Sequence, residues 1–305
     1  MERAQLPPLF GINVDPALHN LEDARARAAI ADQHALDMLT LQDHPYNPRH
    51  LDTWTLLTTL GARTERVHLG TNVLCTPLRP PALLAKQAAT LDLLTGGRVE
   101  LGLGAGGVSE GIRAWGSALS TPRERFEAFQ EYLAIVQGMW HHSNGVFSYH
   151  GRYYQVRGAH PGPPPAHPIR IWTGALGPQM LRLTGQRADG LLISSMYVPV
   201  ERLAEVNRLL DAGAAEAGRP PHAIRRGYNL MGAIVLGRPG EARLTPRPGQ
   251  IVGPPEVWID TIQRLFNEHR QDTFIFWPVA GDEPAQVEVF AREVVPAVRE
   301  ALSQH

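Results

Sequence analysis

Cysteine is nearly absent: Cys75 is the only one in 305 residues. That excludes a disulfide framework and a cysteine-built metal cluster, and it suits a reducing compartment. No apolar run approaches the ~20 residues of a membrane-spanning helix. The opening MERAQLPPLFGINVDP lacks the basic-then-apolar order of a signal peptide. Neither a membrane nor a secretory route is expected, and the chain reads as cytoplasmic. Charge of one sign is lacking too, since 29 Lys and Arg face 30 Asp and Glu. Without a basic footprint, nucleic acid is not an expected partner. Ser109, Ser120, Ser194 and Ser195 sit in no G-x-S-x-G elbow, which leaves a serine hydrolase unsupported. What the chain does have is 43% apolar content, enough to bury a large core as one α/β barrel or as two smaller domains.

The run GTNVLCTPLRPPALLAKQAATLDLLTGGRVELGLGAGG, residues 70–107, organises the rest. It reads as a strand ending near Val73, a Pro-rich connection, a helix opening at Pro80 and Pro81, a Gly96-Gly97 stop, and an apolar strand over 99–104. Leu83, Leu84, Ala88, Leu91 and Leu94 are assigned to one face of that helix. Strand, helix, strand is a right-handed crossover, and in parallel α/β folds chemistry gathers at the strands' carboxyl ends. Those ends are residues 72–76 and 104–107.

The same alternation runs along the whole chain. Strands are expected over 10–14, 38–42, 67–73, 99–104, 169–173, 190–194, 228–236 and 273–278. Helices are expected over 21–35, 51–60, 80–94, 122–140, 178–187, 200–217, 255–269 and 284–302. Eight of each in this length fits a single (β/α)8 TIM barrel, one domain over residues 1–305, better than an open doubly wound sheet. Residues 105–121, 141–168 and 237–254 then become insertion loops at the carboxyl-terminal face. The second holds a hairpin over 145–156 that turns at His150-Gly151, followed by a Pro-rich run.

Each constellation that could carry chemistry has a plain structural rival. Gly102 to Gly107 matches a dinucleotide fingerprint, but a Rossmann site needs a turn straight into a helix and an acid closing the next strand. Residues 108–115 make a poor helix start, and Glu124 and Glu127 belong to the following helix. The glycines mark close backbone approach, by a neighbouring loop or by a ligand. Asp43-His44 closes the second strand, where barrels place catalytic residues, and histidine exchanges protons near neutral pH. Gly174 to Pro178 ends the fifth strand and opens a helix, whose free N–H groups suit an anion such as phosphate. His141, His142, His150, His160 and His167 lie in loops without metal-site spacing, so they read as surface residues and no metal is expected.

Together, Asp43-His44-Pro45, Leu84-Ala85-Lys86, Ala89-Thr90-Leu91-Asp92, Gly97-Arg98, the Gly104 to Gly107 strand end, Gly174 to Pro178 and Ala188-Asp189-Gly190 resemble the luciferase-like monooxygenase superfamily. The resemblance implies a TIM barrel, commonly a homodimer, that binds FMN or the deazaflavin coenzyme F420 and oxidises a small organic substrate. In the flavin branch a separate flavin reductase supplies reduced FMN for reaction with oxygen; in the deazaflavin branch hydride is moved. It makes Asp43 and His44 the catalytic pair beside the ring, His44 being the proton-transfer residue. Asn72 and Val73 match a bulge under the ring, with a cis peptide between them. Gly104, Ala105, Gly106 and Gly107, with Gly174, Ala175, Leu176 and Gly177, match loops that hold the ribityl chain and phosphate. Flavin members often carry Ser or Thr where this chain has Ala175-Leu176-Gly177. Balanced charge offers no basic groove for a polyglutamate tail, which favours FMN over F420. A non-catalytic flavin-binding protein on the same barrel is the reading from another class.

Overall fold

Eight parallel strands close on one another in the computed structural model, which describes residues 6–237 and 246–303. The elements run β1 (Leu9–Val14), α1 (Leu21–Gln33), β2 (Met38–Leu41), α2 (Thr53–Gly61), β3 (His68–Thr71), β4 (Leu74–Cys75), α3 (Pro81–Leu94), β5 (Val99–Gly104), α4 (Ser109–Ala114) and α5 (Pro122–His141). The hairpin β6 (Phe147–His150) and β7 (Gln155–Ala159) follows. Then come β8 (Ile171–Thr173), α6 (Pro178–Arg187), β9 (Gly190–Ser194), α7 (Leu203–Glu216), β10 (Arg225–Ile234), β11 (Ile251–Gly253), α8 (Pro255–His269), β12 (Thr273–Pro278), α9 (Glu283–Val289) and α10 (Val295–Ser303). The barrel order is β1-β2-β3-β5-β8-β9-β10-β12, and β12 returns to β1 with Leu9 opposite Thr273. This is the expected α/β TIM barrel.

Strand periodicity divides the core in two. Leu39, Leu191, Ile193, Phe274 and Phe276 pack with the helices. Their sequence neighbours Met38, Leu192 and Ile275 point to the other side and, with Trp172, form a separate buried cluster. Large plugs need small neighbours: a Cβ on Gly11 would meet the Ile275 Cδ1 at 2.9 Å, and one on Gly190 would meet the Trp172 ring at 2.2 Å.

Several motif residues turn out to fasten the barrel's amino-terminal end. The buried Arg98 guanidinium and its Nε donate to the carbonyls of Gly61, Thr64, Val67 and Thr95 and to the Thr64 hydroxyl. It thereby satisfies the carbonyls left over where α2 ends, which no intrahelical donor reaches. Asp92 accepts from the N–H groups of Val99 and His167, and Asp189 accepts from that of Ile171.

Some local expectations are corrected. On α3 the buried residues are Leu84, Ala85, Ala88, Ala89 and Leu91, whereas Leu83 and Leu94 are 54% and 76% exposed. The small alanines allow close approach, so the buried arc is rotated toward Ala85 and Ala89, leaving Leu83 and Leu94 outside. Residues 109–114, judged a poor helix, form α4. The hairpin turn is longer than His150-Gly151, because Glu131 of α5 accepts the N–H groups of Arg152, Tyr153 and Tyr154 and holds it open. The closing helix is broken by a π-turn over Phe290–Val294. Within the expected insertion 237–254, residues 238–245 lie outside the described residues. Among the described residues no helix is long and apolar enough to cross a membrane.

Because Arg98 is buried and serves four main-chain carbonyls, Arg98→Ala is expected to destabilise the barrel by about 3 kcal/mol or more. Thermal unfolding of the variant beside the parent checks this, and an unchanged midpoint would remove Arg98 from the fastening.

Candidate functional site

A cavity of about 340 Å³ opens at the carboxyl end of the barrel. Its wall brings together Asp43, His44, Asn72, Val73, Gly104, Ala105, Gly106, Gly107, Gly174 and Leu176, residues from four strand ends separated by up to 133 positions in the chain. Tyr46, Cys75 and Met180 complete it. Two expected members are elsewhere. Ala175 is buried in the hydrophobic core, and Gly177 is the N-cap of α6 rather than a wall residue. A second cavity of about 530 Å³, lined by Pro77 to Ala82, Trp115 to Ser117 and Tyr154 to Val156, lies beyond the turn that follows β4.

The strand-three end is built as the resemblance implied. β3 stops at Thr71, the Asn72-Val73 peptide is cis, and pairing resumes at β4. The Asn72 and Asn229 amides pair reciprocally across the barrel, Nδ2 to Oδ1 at 2.8 Å and 3.2 Å. Thr40 extends this buried network to Asn13. The glycines beside Val73 have a steric reason that involves no ligand. A Cβ at Gly104 would come within 2.7 Å of the Val73 side chain, and one at Gly174 within 2.8 Å. Gly106 has φ +90° and sits against Ile112 and Pro77, whereas Gly107 and Gly177 face open space. Of these loop glycines, then, the last two leave room for a bound group.

Asp43 and His44, adjacent in sequence, have opposite surroundings. The Asp43 carboxylate is 3% exposed and fully engaged, accepting from the Cys75 N–H at 2.9 Å and from Arg79 Nε and Nη2 at 3.1 and 2.9 Å. Arg79 also reaches Asp52, the N-cap of α2, at 2.8 Å. Burial alone would lower the Arg79 pKa, but these two carboxylates hold it above its ordinary value. Asp43 is thus an anchor of the wall, with two contacts on Oδ2 and one on Oδ1. Burial, and secondarily the charge of Asp43, push the Cys75 thiol up to about 12, so it stays protonated and unreactive.

His44 is the histidine of the cavity wall. Burial, and next the nearby His50, lower its pKa from the ordinary 6.5, so the imidazole is neutral at pH 7. Its Nδ1 lies 2.7 Å from the Tyr46 hydroxyl. Burial raises that phenol to about 12, which keeps its proton in place. When Nδ1–H donates to the phenol oxygen, the free lone pair is on Nε2, and Nε2 is the atom with the capacity to take a proton. Tyr46 is itself held by α4, because the Gly111 Cα leaves no room for a Cβ, which would meet the Tyr46 ring at 2.5 Å. Neither Tyr46 nor Arg79 was assigned from sequence, although Tyr46 stands in the polar cluster that ends β2. Arg79 gave no local signal, since its partners are 36 and 27 residues away.

At α6, the Gly177 N-cap makes no side-chain capping bond and Pro178 has no N–H. The free N–H groups of this first turn, beside the wall residues Leu176 and Met180, suit a phosphate. The residues present therefore fit a flat ring with a phosphate-bearing tail: a largely apolar wall that carries one histidine, open space over two glycines, and an uncapped helix start.

A closed parallel barrel with a cavity at its carboxyl end, His44 in the wall, defines the class. The model of the family described as luciferase-like monooxygenase matches residues 9–243, and the chain belongs to that family. An F420-dependent glucose-6-phosphate dehydrogenase of Nakamurella multipartita is 32% identical over 222 residues, 70% of this chain and 64% of that protein. A phthiodiolone/phenolphthiodiolone dimycocerosates ketoreductase of Mycobacterium sp. is 35% identical over 178 residues, 57% of this chain and 46% of that protein. The chain thus spans less than two thirds of the length of either relative. Among solved structures, an F420-dependent secondary alcohol dehydrogenase in complex with an F420-acetone adduct superposes with a TM-score of 0.84 at 21% identity, covering 96% of this chain and 99% of that one. A long-chain alkane monooxygenase does so at 0.80 and 15%, covering 97% and 92%. At these identities the two superpositions speak to the fold alone.

The Tyr46 contact has a measurable consequence. Nitrogen-15 NMR of ring-labelled protein is expected to show His44 mostly as the Nδ1–H tautomer, titrating below 6.5. In Tyr46→Phe the Nε2–H tautomer should gain population. An unchanged spectrum would mean that the phenol does not set the proton's position.

Proposed function

We propose that this chain is an oxidoreductase that holds coenzyme F420 in the carboxyl-end cavity and exchanges hydride with a small alcohol or carbonyl compound. The observation that carries the reading is the neutral His44, paired with Tyr46 in the cavity wall. When hydride leaves an alcohol carbon, the hydroxyl must lose its proton, and a neutral imidazole is the group to take it. Bound there, the deazaflavin ring would supply the hydride chemistry. The chain's own work would be to position the ring over Asn72 and Val73, to hold its phosphate at α6, and to move the proton at His44 Nε2. The curated relatives named above support this choice through their F420-dependent dehydrogenase and ketoreductase names.

A second reading is a monooxygenase that uses reduced FMN and oxygen, fed by a separate flavin reductase. One observation favours it: among the described residues lining the two cavities, Arg79 is the only Lys or Arg, and both its carboxylate partners are in place. A polyglutamate tail would find little basic surface there. A homodimer belongs to either reading, and exposed Leu83 and Leu94 on α3 offer apolar surface for a second copy.

Absorbance and fluorescence titration with F420 and with FMN separates the readings, followed by turnover with alcohols and ketones, or with reduced FMN and oxygen. Tight F420 binding with hydride transfer is the expected result. Tight binding of FMN with oxygen-dependent turnover would favour the second reading, and binding without turnover would favour a sequestering protein. His44→Ala should lower turnover by roughly 10²-fold or more with a much smaller loss of cofactor affinity. Unchanged kinetics would remove His44 from the mechanism.

A further inference from the structure

At the end of the barrel opposite the cavity, three metal-ligating side chains converge. His68 opens β3, Glu100 is the second residue of β5, and His167 ends the Pro-rich run ahead of β8. One nitrogen from each histidine and one Glu100 oxygen all lie within 4.8 Å of one another. Glu100 is 0% exposed, and its carboxylate accepts from Arg170 Nε and from Trp172 Nε1 at 2.9 and 2.7 Å. His68 Nδ1 is 3.4 Å from Glu100 Oε1, and the two imidazole rings meet edge to face with centroids 6.1 Å apart.

Two further observations point to a ligand. His167 Nε2 is enclosed and makes no hydrogen bond, and the Nδ1 atoms of His68 and His167 each face a carboxylate without hydrogen-bond geometry. An enclosed polar atom without a partner is exceptional and calls for a physical reason. Behind His167, the fully buried Asp92 places Oδ1 2.8 Å from Nδ1, the position of the carboxylate that commonly orients a metal-bound histidine. His167 Nε2 is then the free ligand atom. A cavity of about 250 Å³, lined by Asp37, Arg66, His68 and Arg170 among others, gives access from solvent.

We propose that His68, Glu100 and His167 bind one first-row divalent cation, Zn²⁺ by the chemistry of two imidazoles and one carboxylate. Metal–ligand distances of about 2.0–2.2 Å require the three to draw closer, which side-chain rotation of the two partly exposed histidines provides. The ion's place at the amino-terminal end gives it a structural role: it pins the Pro-rich run to the first residues of β3 and β5. Arg170 is the rival. Its Nε lies 2.9 and 3.1 Å from the Glu100 oxygens and its Nη2 also contacts Oε1, so ion and guanidinium share one carboxylate. This sharing limits affinity and yields an unusual expectation, that removing a cation from the site strengthens metal binding. The surface reading of His167 made from sequence, and the expectation of no metal, missed the cluster because its members are 32 and 67 residues apart.

The test uses tag-free full-length protein, freed of metal with a chelator and titrated with Co²⁺, then with Zn²⁺ in competition. Expected are one Co²⁺ per chain with the visible bands of low-coordinate nitrogen and oxygen ligation, displacement by Zn²⁺, and a higher unfolding temperature in Zn²⁺. His68→Gln and His167→Gln should each weaken binding by about 100-fold, Arg170→Gln should tighten it, and His142→Gln should change nothing. Nitrogen-15 shifts of His68 and His167 on Zn²⁺ addition report the site in the unsubstituted chain and depend on no variant's folding. Absence of a stoichiometric Co²⁺ complex, or equal binding by the two histidine variants and the parent, would overturn the proposal and leave Arg170 as the sole cationic partner of Glu100.

Discussion

The upper end of the barrel depends on where the Val73 side chain goes. Leaving β3 at Asn72, the chain turns this isopropyl group against β5 and the end of β8, into space that Cβ atoms at 104 and 174 would otherwise occupy. Protein interiors have no slack for such an overlap, so Gly104 and Gly174 are imposed by Val73 rather than by a ligand. The bulge is held from the other side by the Asn72–Asn229 amide pair, which spans the barrel between β3 and β10. Two buried amides that satisfy each other cost little, and removing Asn72 would leave the Asn229 amide without this partner. This part of the cavity wall is thus fixed by contacts among four strands.

This explains which parts of the chain could be read in advance. Alternation of apolar runs with helical spacing specifies the eight strands, because burial on both faces demands near-continuous apolar residues such as FGINV and TFIFWP. The motif residues Arg98, Asp92 and Asp189 were legible as a pattern, yet their work is to tie loops to the amino-terminal end, far from the cavity. The Asp43-His44 dipeptide was legible as a site, but the division of roles within it was not. That division comes from Arg79, Cys75 and Tyr46, and a sequence does not show which side chain occupies a carboxylate. The rotation of the buried face on α3 was equally hidden, since leucine and alanine compete for contact and only packing against the barrel shows that the alanines win.

Asp43, Arg79 and Asp52 form a chain of ion pairs that joins the end of β2 to the turn after β4 and to the first turn of α2. With Arg79 mostly enclosed, removal of one carboxylate would leave charge without full compensation, an expensive change in low-dielectric surroundings. The triad therefore serves to keep His44, the next residue after Asp43, at a fixed height in the cavity wall. The two adjacent side chains thus differ: the carboxylate is tied into structure, and the imidazole has a single hydrogen-bond partner, Tyr46.

The cavity wall extends into the insertion over residues 105–121, which begins as the cavity's glycine loop and continues as α4. Gly111 of that helix lies against the Tyr46 ring, and Tyr46 in turn bonds His44 Nδ1. Any shift of α4 thus reaches the proton-bearing imidazole through two contacts, one steric and one polar. The insertion also supplies Trp115, 58% exposed, to the second cavity. One short helix therefore bears on both the His44–Tyr46 pair and the second cavity. Changes in the 105–121 loop can then adjust which substrate enters and how the imidazole is poised, while the eight strands beneath remain as they are.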